Sequence, residues 1–170
     1  MKYLLEICEA VRYIHQRDII HRDIKSPNIF ITHRDEAKLG DFGLCVHGKT
    51  IVSKVRHSSA GVIGTNCYMA PELHKGHLYQ KGKSADMWAV GCVLLEMLMG
   101  TALWDLEEDL GTKSLEDQNF TRDFISSNNE DLSKKYDLKL LSIVKKLLHP
   151  DPIRRLTVEE FFKKKFVRQW

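Results

Sequence analysis

Leu4, Ile7, Cys8, Val11 and Ile14 recur three and four positions apart, which predicts an amphipathic helix over residues 3–17. Arg17-Asp18 end it, and Ile19-Ile20 follow as a short extended pair. Ile29-Phe30-Ile31 and Ala37-Lys38-Leu39 flank the polar turn His33-Arg34-Asp35-Glu36, the pattern of a small β-hairpin. Residues 44–69 have poor periodicity and many hydroxyls. From Met87 to Met99 nearly every position is apolar, with Glu96 inside the run. That run is shorter than the ~20 residues that span a bilayer, so it reads as a buried helix over 84–99. Ser84-Ala85-Asp86 open it, with Asp86 as the N-cap, and Gly91 allows another element to come close. Leu138, Leu141, Ile143, Val144, Leu147 and Leu148 give a helical face between Tyr136 and Leu148, which Pro150 and Pro152 stop. Thr157-Val158-Glu159-Glu160 is a capping box for a last helix. The pattern is mainly α with a small β-hairpin, without internal repeats or low-complexity tracts.

Residues 105–131 are acidic and polar, with a short helix start at Ser114-Leu115-Glu116-Asp117. They read as a solvated variable segment, a docking surface being the sharper alternative. At 170 residues, 43% hydrophobic and 29% charged, the chain has the length and composition of one globular domain. A net charge of +3 gives no argument for nucleic acid or an anionic membrane as partner. Lys163-Lys164-Lys165 is a solvated face rather than a nuclear import signal. Cys8, Cys45, Cys67 and Cys92 are widely spaced, as free thiols in a reducing compartment are. That points to the cytoplasm, with the nucleus open. Glu6 and Glu9 interrupt the apolar N-terminus before a secretory signal core forms.

The chemistry concentrates in His21-Arg22-Asp23-Ile24-Lys25-Ser26-Pro27-Asn28, with a second acid in Gly40-Asp41-Phe42-Gly43. Magnesium takes hard oxygen ligands, commonly one or two carboxylates plus phosphate oxygens. Asp41 and the amide oxygen of Asn28 are of that kind. Asp23 is suited to orient an attacking hydroxyl and accept its proton. Lys25, two residues on, shares a face with it in an extended loop and meets the charge of a transferring phosphoryl group. An ordinary surface hairpin explains the apolar residues between Asn28 and Asp41, but not the metal-type ligand at each end.

At these residues the chain resembles the eukaryotic protein kinases, whose catalytic loop reads H-R-D-x-x-x-x-N and whose metal loop reads D-F-G. The resemblance continues through Ala70-Pro71-Glu72, Asp86-Met87-Trp88-Ala89-Val90-Gly91 and Asp151-Pro152-Ile153-Arg154-Arg155-Leu156-Thr157. Lys25 and Gly64-Thr65 are similar to the serine/threonine branch. Asn28-Ile29-Phe30 and Tyr136-Asp137-Leu138 look like NIMA-related kinases. The resemblance implies the C-terminal, large lobe of the α+β kinase fold. Within it, residues 21–28 are the catalytic loop, 41–72 the activation segment and 84–99 the buried helix.

It also implies roles: Asp23 and Lys25 catalytic; Lys25, Asn28 and Asp41 on ATP; Asn28 and Asp41 on magnesium. Arg22 anchors activation-loop phosphate. Thr65 positions the peptide and helps select a Ser or Thr acceptor. His21 and Phe42 stack as half of a column between lobes, Glu72 pairs with buried Arg155, and Asp86 accepts backbone N–H bonds from His21 and Arg22. Many relatives carry their phosphosite where this chain has Gly61, so the expectation moves to Ser59, then Ser58, against the alternative that both are plain solvated serines. Leu44 resembles kinases that favour Ser acceptors, or is a core residue. Glu96 matches a position that meets basic substrate residues in some kinases, but Pro27 stands where such relatives often carry an acid. Leu103-Trp104 replace the Pro-Phe that relatives usually have there.

No glycine-rich phosphate loop, lysine strand or partner glutamate precedes the first helix. The expectation is the large lobe alone, with the N-terminal lobe absent, as a fragment or a naturally truncated protein. Two functions are weighed. One is ATP-dependent transfer to Ser or Thr of protein substrates, active only with the missing lobe. The other is a non-catalytic binding module. The sequence leaves the oligomeric state open.

Overall fold

The computed structural model describes residues 1–47, 66–74, 82–103, 129–165 and 167. Ser58, Ser59, Gly61, Thr65, Trp104 and the helix start at 114–117 lie outside them. Helix α1 (Lys2–Gln16) buries Leu4, Ile7, Cys8, Val11 and Ile14 along one stripe, as their spacing requires. It ends at Arg17, and Asp18 turns the chain with a left-handed φ of 58°. Strand β1 (Ile19–Ile20) leads into the loop over residues 21–25. A 3-10 turn (Ser26–Asn28) leads out of it into β2 (Ile29–Ile31), which pairs antiparallel with β3 (Ala37–Leu39), Phe30 opposite Lys38. The Glu6 carboxylate accepts the Ala37 N–H at 2.7 Å and fastens the hairpin to α1.

A second ladder was not legible in the aperiodic stretch after residue 44. Strand β4 (Val46–His47) pairs antiparallel with β1, Ile20 opposite Val46. A 3-10 turn (Asn66–Tyr68) and the short α2 (Pro71–His74) precede α3 (Gly82–Met99). Helix α3 is apolar nearly all round and buries Met87, Trp88, Ala89, Val90, Cys92, Val93, Leu94, Leu95 and Leu98. It is the centre of the core, packed between α1 and α5 (Leu138–Leu147). Among the described residues no helix is long and apolar enough to cross a membrane. A Cβ at Gly91 would lie 2.8–2.9 Å from Leu147 and Leu148, so the expected close approach is that of the end of α5. A Cβ at Gly82 would lie 2.7 Å from Ile20, which brings the start of α3 against β1.

Three expectations are corrected. The described helix α3 begins by Gly82, so Asp86 is inside it and is not the N-cap; a cap must precede the first helical residue. Helix α5 starts at Leu138, capped by Asp137, whose carboxylate accepts the Lys139 N–H at 2.7 Å. Leu138 is therefore in the first turn, 67% exposed, and Leu140 takes the buried position. Leu44 is 52% exposed, which removes the core reading. Helix α4 (Asn129–Lys135) begins within the stretch read as a solvated variable segment, its buried Leu132 being a lone apolar signal among polar residues. Helix α6 (Val158–Lys163) carries the capping box as read, formed by Thr157 and Glu160.

Candidate active site

The loop that opens with His21-Arg22-Asp23 is held from beneath by one carboxylate of α3. Asp86 is 2% exposed, and its Oδ2 accepts the His21 N–H at 2.9 Å while Oδ1 accepts the Arg22 N–H at 2.9 Å. A third donor, His15 Nε2, lies 2.8 Å from Oδ2. Burying a carboxylate is costly unless donors surround it, and these three supply them. The bonds also hold Arg22 at a φ of 71°, a left-handed conformation that a non-glycine residue rarely keeps without such support.

Beyond Arg22 the loop gathers its polar side chains. Asn28 Nδ2 donates to the Asp23 carbonyl at 2.8 Å and to Asp23 Oδ2 at 2.9 Å. Lys25 Nζ lies 2.9 Å from the same Oδ2. Asp23 and Asn28 are buried, at 9% and 6% exposure. Asp23, Lys25 and Asn28 thus form one cluster. Both side-chain bonds of Asn28 use Nδ2, so its amide oxygen is outside them.

The second acidic loop is tied to the first through Gly40. Its N–H donates to the Asn28 carbonyl at 2.9 Å, and its carbonyl lies 3.1 Å from His21 Nε2. The other ring nitrogen, Nδ1, faces the Asp23 N–H at 3.3 Å. A neutral imidazole accepts on one nitrogen and donates from the other, so Nδ1 accepts here and Nε2 donates to Gly40. Asp41 follows directly, at a φ of 58°, with an exposed carboxylate whose Oδ1 accepts the Gly43 N–H at 3.3 Å. Phe42 meets His21 with ring centroids 4.9 Å apart at a tilt of 59°, and its ring is 49% exposed. The expected contact exists, with one side of the column open.

Asp41 and the Asn28 amide offer hard oxygens, which suit magnesium. Among the described residues no three His, Cys, Asp or Glu are gathered to hold a metal. Two protein oxygens completed by phosphate oxygens is therefore the coordination that these residues fit. Cys45 Sγ donates to the His21 carbonyl at 3.6 Å. Burial, helped by the nearby Asp86 charge, pushes its thiol up to about 11.

The Glu72–Arg155 pair is formed as a fork, at 2.7 and 2.8 Å. The Arg155 side chain is fully buried and that of Glu72 is 13% exposed. Arg155 also donates to the carbonyls of His149 and Ser84, each at 2.9 Å, and packs over Trp88. The pair therefore fixes α2 to the chain behind α5.

Several site residues were missed by sequence reasoning. His15 falls four positions after Val11 on the buried stripe of α1, and a polar residue on an apolar stripe was the available signal. Glu96 was singled out by resemblance; what was missed is that it is buried and accepts bonds from Tyr68, Leu103 and Ser26, which no spacing reveals. Burial and the Glu96 bond push the Tyr68 phenol well above its usual range. Phe30, read as a hairpin residue and as part of the Asn28-Ile29-Phe30 resemblance, is 57% exposed with its ring against Gly40, so it lines the same edge as Asn28 and Asp41.

Two tied acidic loops on a helical core, with an Asp–Lys–Asn cluster in one, define a site fitted to a polyphosphate and an oxygen-ligated cation. The family described as "Protein kinase domain" matches residues 1–167, and the chain belongs to that family. It is 33% identical over 161 residues to Aurora/IPL1-related protein kinase 2 of Caenorhabditis briggsae, covering 94% of this chain and 47% of that protein. It is 35% identical over 163 residues to the serine/threonine-protein kinase Nek9 of Xenopus laevis, covering 95% of this chain and 16% of the relative. With Nek1 of Mus musculus it shares 30% over 167 residues, 98% of this chain and 13% of the relative. The chain spans less than half the length of each of these relatives. Relatives with Nek names agree with the NIMA-related resemblance, while the Aurora-related kinase matches at a similar identity.

Proposed function

We propose that the chain supplies the helical, C-terminal lobe of an ATP-dependent serine/threonine protein kinase, within the NIMA-related group. The observation that carries this is the shared oxygen of Asp23, bonded at 2.9 Å by both Asn28 and Lys25, with Gly40 bringing Asp41 alongside. Asp23 Oδ1, outside that pair of bonds, orients the Ser or Thr hydroxyl of a protein substrate and takes its proton. The hydroxyl oxygen bonds to the γ-phosphorus as the bond to ADP breaks. Lys25 meets the charge on the transferring group. Asn28 and Asp41 hold magnesium, which neutralises phosphate charge when bound. Thr65 positions the acceptor. Arg22 receives phosphate on Ser59, or on Ser58, and passes the resulting order to Asp23 through the loop.

Phe30, Phe42 and Leu44 are 57%, 49% and 52% exposed. An apolar edge of this kind beside a polar site suits a second lobe that covers the nucleotide. Turnover on this reading requires a nucleotide-clamping lobe to cover that edge. The same edge supports the second reading, a binding module that recognises a partner without transfer. A radiolabelled-ATP assay with Ser and Thr peptides tests both. The chain alone is expected to transfer little or no phosphate, and fusion to a glycine-rich-loop lobe to give turnover that D23N abolishes. Ordinary turnover by the chain alone overturns the need for a second lobe. No turnover in any fused form overturns the transfer reading.

A further inference from the structure

Helix α3 offers the catalytic loop a second carboxylate, ten positions after Asp86. At about 1.5 Å of rise per residue the two acids stand roughly 15 Å apart along the helix. Asp86 holds the start of the loop at His21 and Arg22. Glu96 holds its far end, because Glu96 Oε2 accepts the hydroxyl of Ser26, the residue after Lys25. Glu96 Oε1 is also engaged, by the Tyr68 hydroxyl at 2.6 Å and the Leu103 N–H at 3.0 Å. Glu96 is 8% exposed, so these donors surround a buried charge.

We propose that Ser26 is a specificity-determining residue: by closing the Glu96 clamp it withholds that carboxylate from cationic side chains of a peptide substrate. A guanidinium grips a carboxylate through two parallel N–H bonds, one to each oxygen. At Glu96 that fork requires Ser26 to leave Oε2 while Oε1 already carries two donors. It also releases the residue next to Lys25 from its support. A basic residue in the peptide therefore gains nothing from Glu96, contrary to the role that the family position suggests. The inference rests on the peptide-kinase reading above.

The test is equilibrium peptide binding to the 170-residue chain. The probes are Ser-containing peptides in which one Arg is walked along the flanking positions, against an Ala peptide. The wild-type chain is expected to bind both kinds within about twofold. S26A is expected to tighten binding of one Arg register by about tenfold, the scale of one charge-assisted hydrogen bond. S26T, which keeps the hydroxyl, is expected to behave as wild type, and S26A/E96Q to lose the gain. If S26A does not fold, S26G, which also removes the hydroxyl from Oε2, is expected to give the same direction. A wild-type Arg preference that E96Q removes overturns the proposal. So does the absence of any gain, including failure of every variant to bind peptide. Magnesium–ATP binding to the same samples reads the phosphotransfer site separately, and its failure beside an intact S26A gain contradicts only the transfer reading.

Discussion

His21 donates from Nε2 to the Gly40 carbonyl at 3.1 Å and so locks the loop that carries Asp23 to the loop that carries Asp41. The geometry works in one tautomer, because Nδ1 has to accept the Asp23 N–H. Long-range proton–nitrogen correlation spectra at neutral pH are expected to show a neutral ring with the proton on Nε2. A ring protonated on Nδ1 and bare on Nε2 contradicts the lock.

Removing one partner of the Glu72–Arg155 fork leaves a buried charge without its counter-ion. E72A is expected to lower stability by roughly 3–5 kcal/mol. R155K is expected to lose much of the same energy, since an ammonium cannot reproduce the fork and the bonds to His149 and Ser84. Urea unfolding measures both, and a loss below about 1 kcal/mol for E72A places the pair among surface ion pairs of little consequence.

Gly91 gives α3 its approach to the end of α5. An added methyl there meets the Leu147 Cβ and the Leu148 side chain at 2.8–2.9 Å, and G91A is expected to cost about 1–3 kcal/mol through overpacking. The measurement is thermal unfolding beside wild type. An unchanged midpoint shows that α5 moves away without cost.

The Cys45 thiol, raised from 9.0 to about 11, titrates later in the folded state than in the unfolded one. A raised folded value means that the associated stability is whole below pH 9 and is lost as pH climbs toward 11. At pH 8 the folded thiolate population is about a hundredfold below that of a free thiol. Alkylation of Cys45, followed by mass spectrometry, is expected to be slow in native protein and fast in urea. Equal rates contradict the partial burial of this thiol and its bond to the His21 carbonyl.

The sequence revealed whatever depends on local period or on short motifs. The stripe of α1, the hairpin between Asn28 and Asp41, the apolar run of α3 and the Thr157 box are each written within a few residues. The contacts of Asp86 with His21 and Arg22, and of Glu72 with Arg155, came from resemblance, since neighbours in space lie far apart in the chain. Asp86 was misplaced as a cap because helix propensity marks Gly82 poorly as a helical start. The β1–β4 ladder was hidden because two-residue strands carry no period. His15 and Ser26 were missed for the same physical reason: what they do depends on which carboxylate folding places opposite them.

On the proposed reading, Asp23, Asn28 and Asp41 face one small volume that takes a nucleotide and its cation. Manganese, a paramagnetic oxygen-seeking stand-in for magnesium, tests it without turnover when titrated with ATP into isotope-labelled chain. The Asn28 side-chain amide and the backbone signals of Asp23 and Asp41 are expected to broaden together, with D41N abolishing the effect at all three. Broadening of one loop without the other, or at neither, contradicts it.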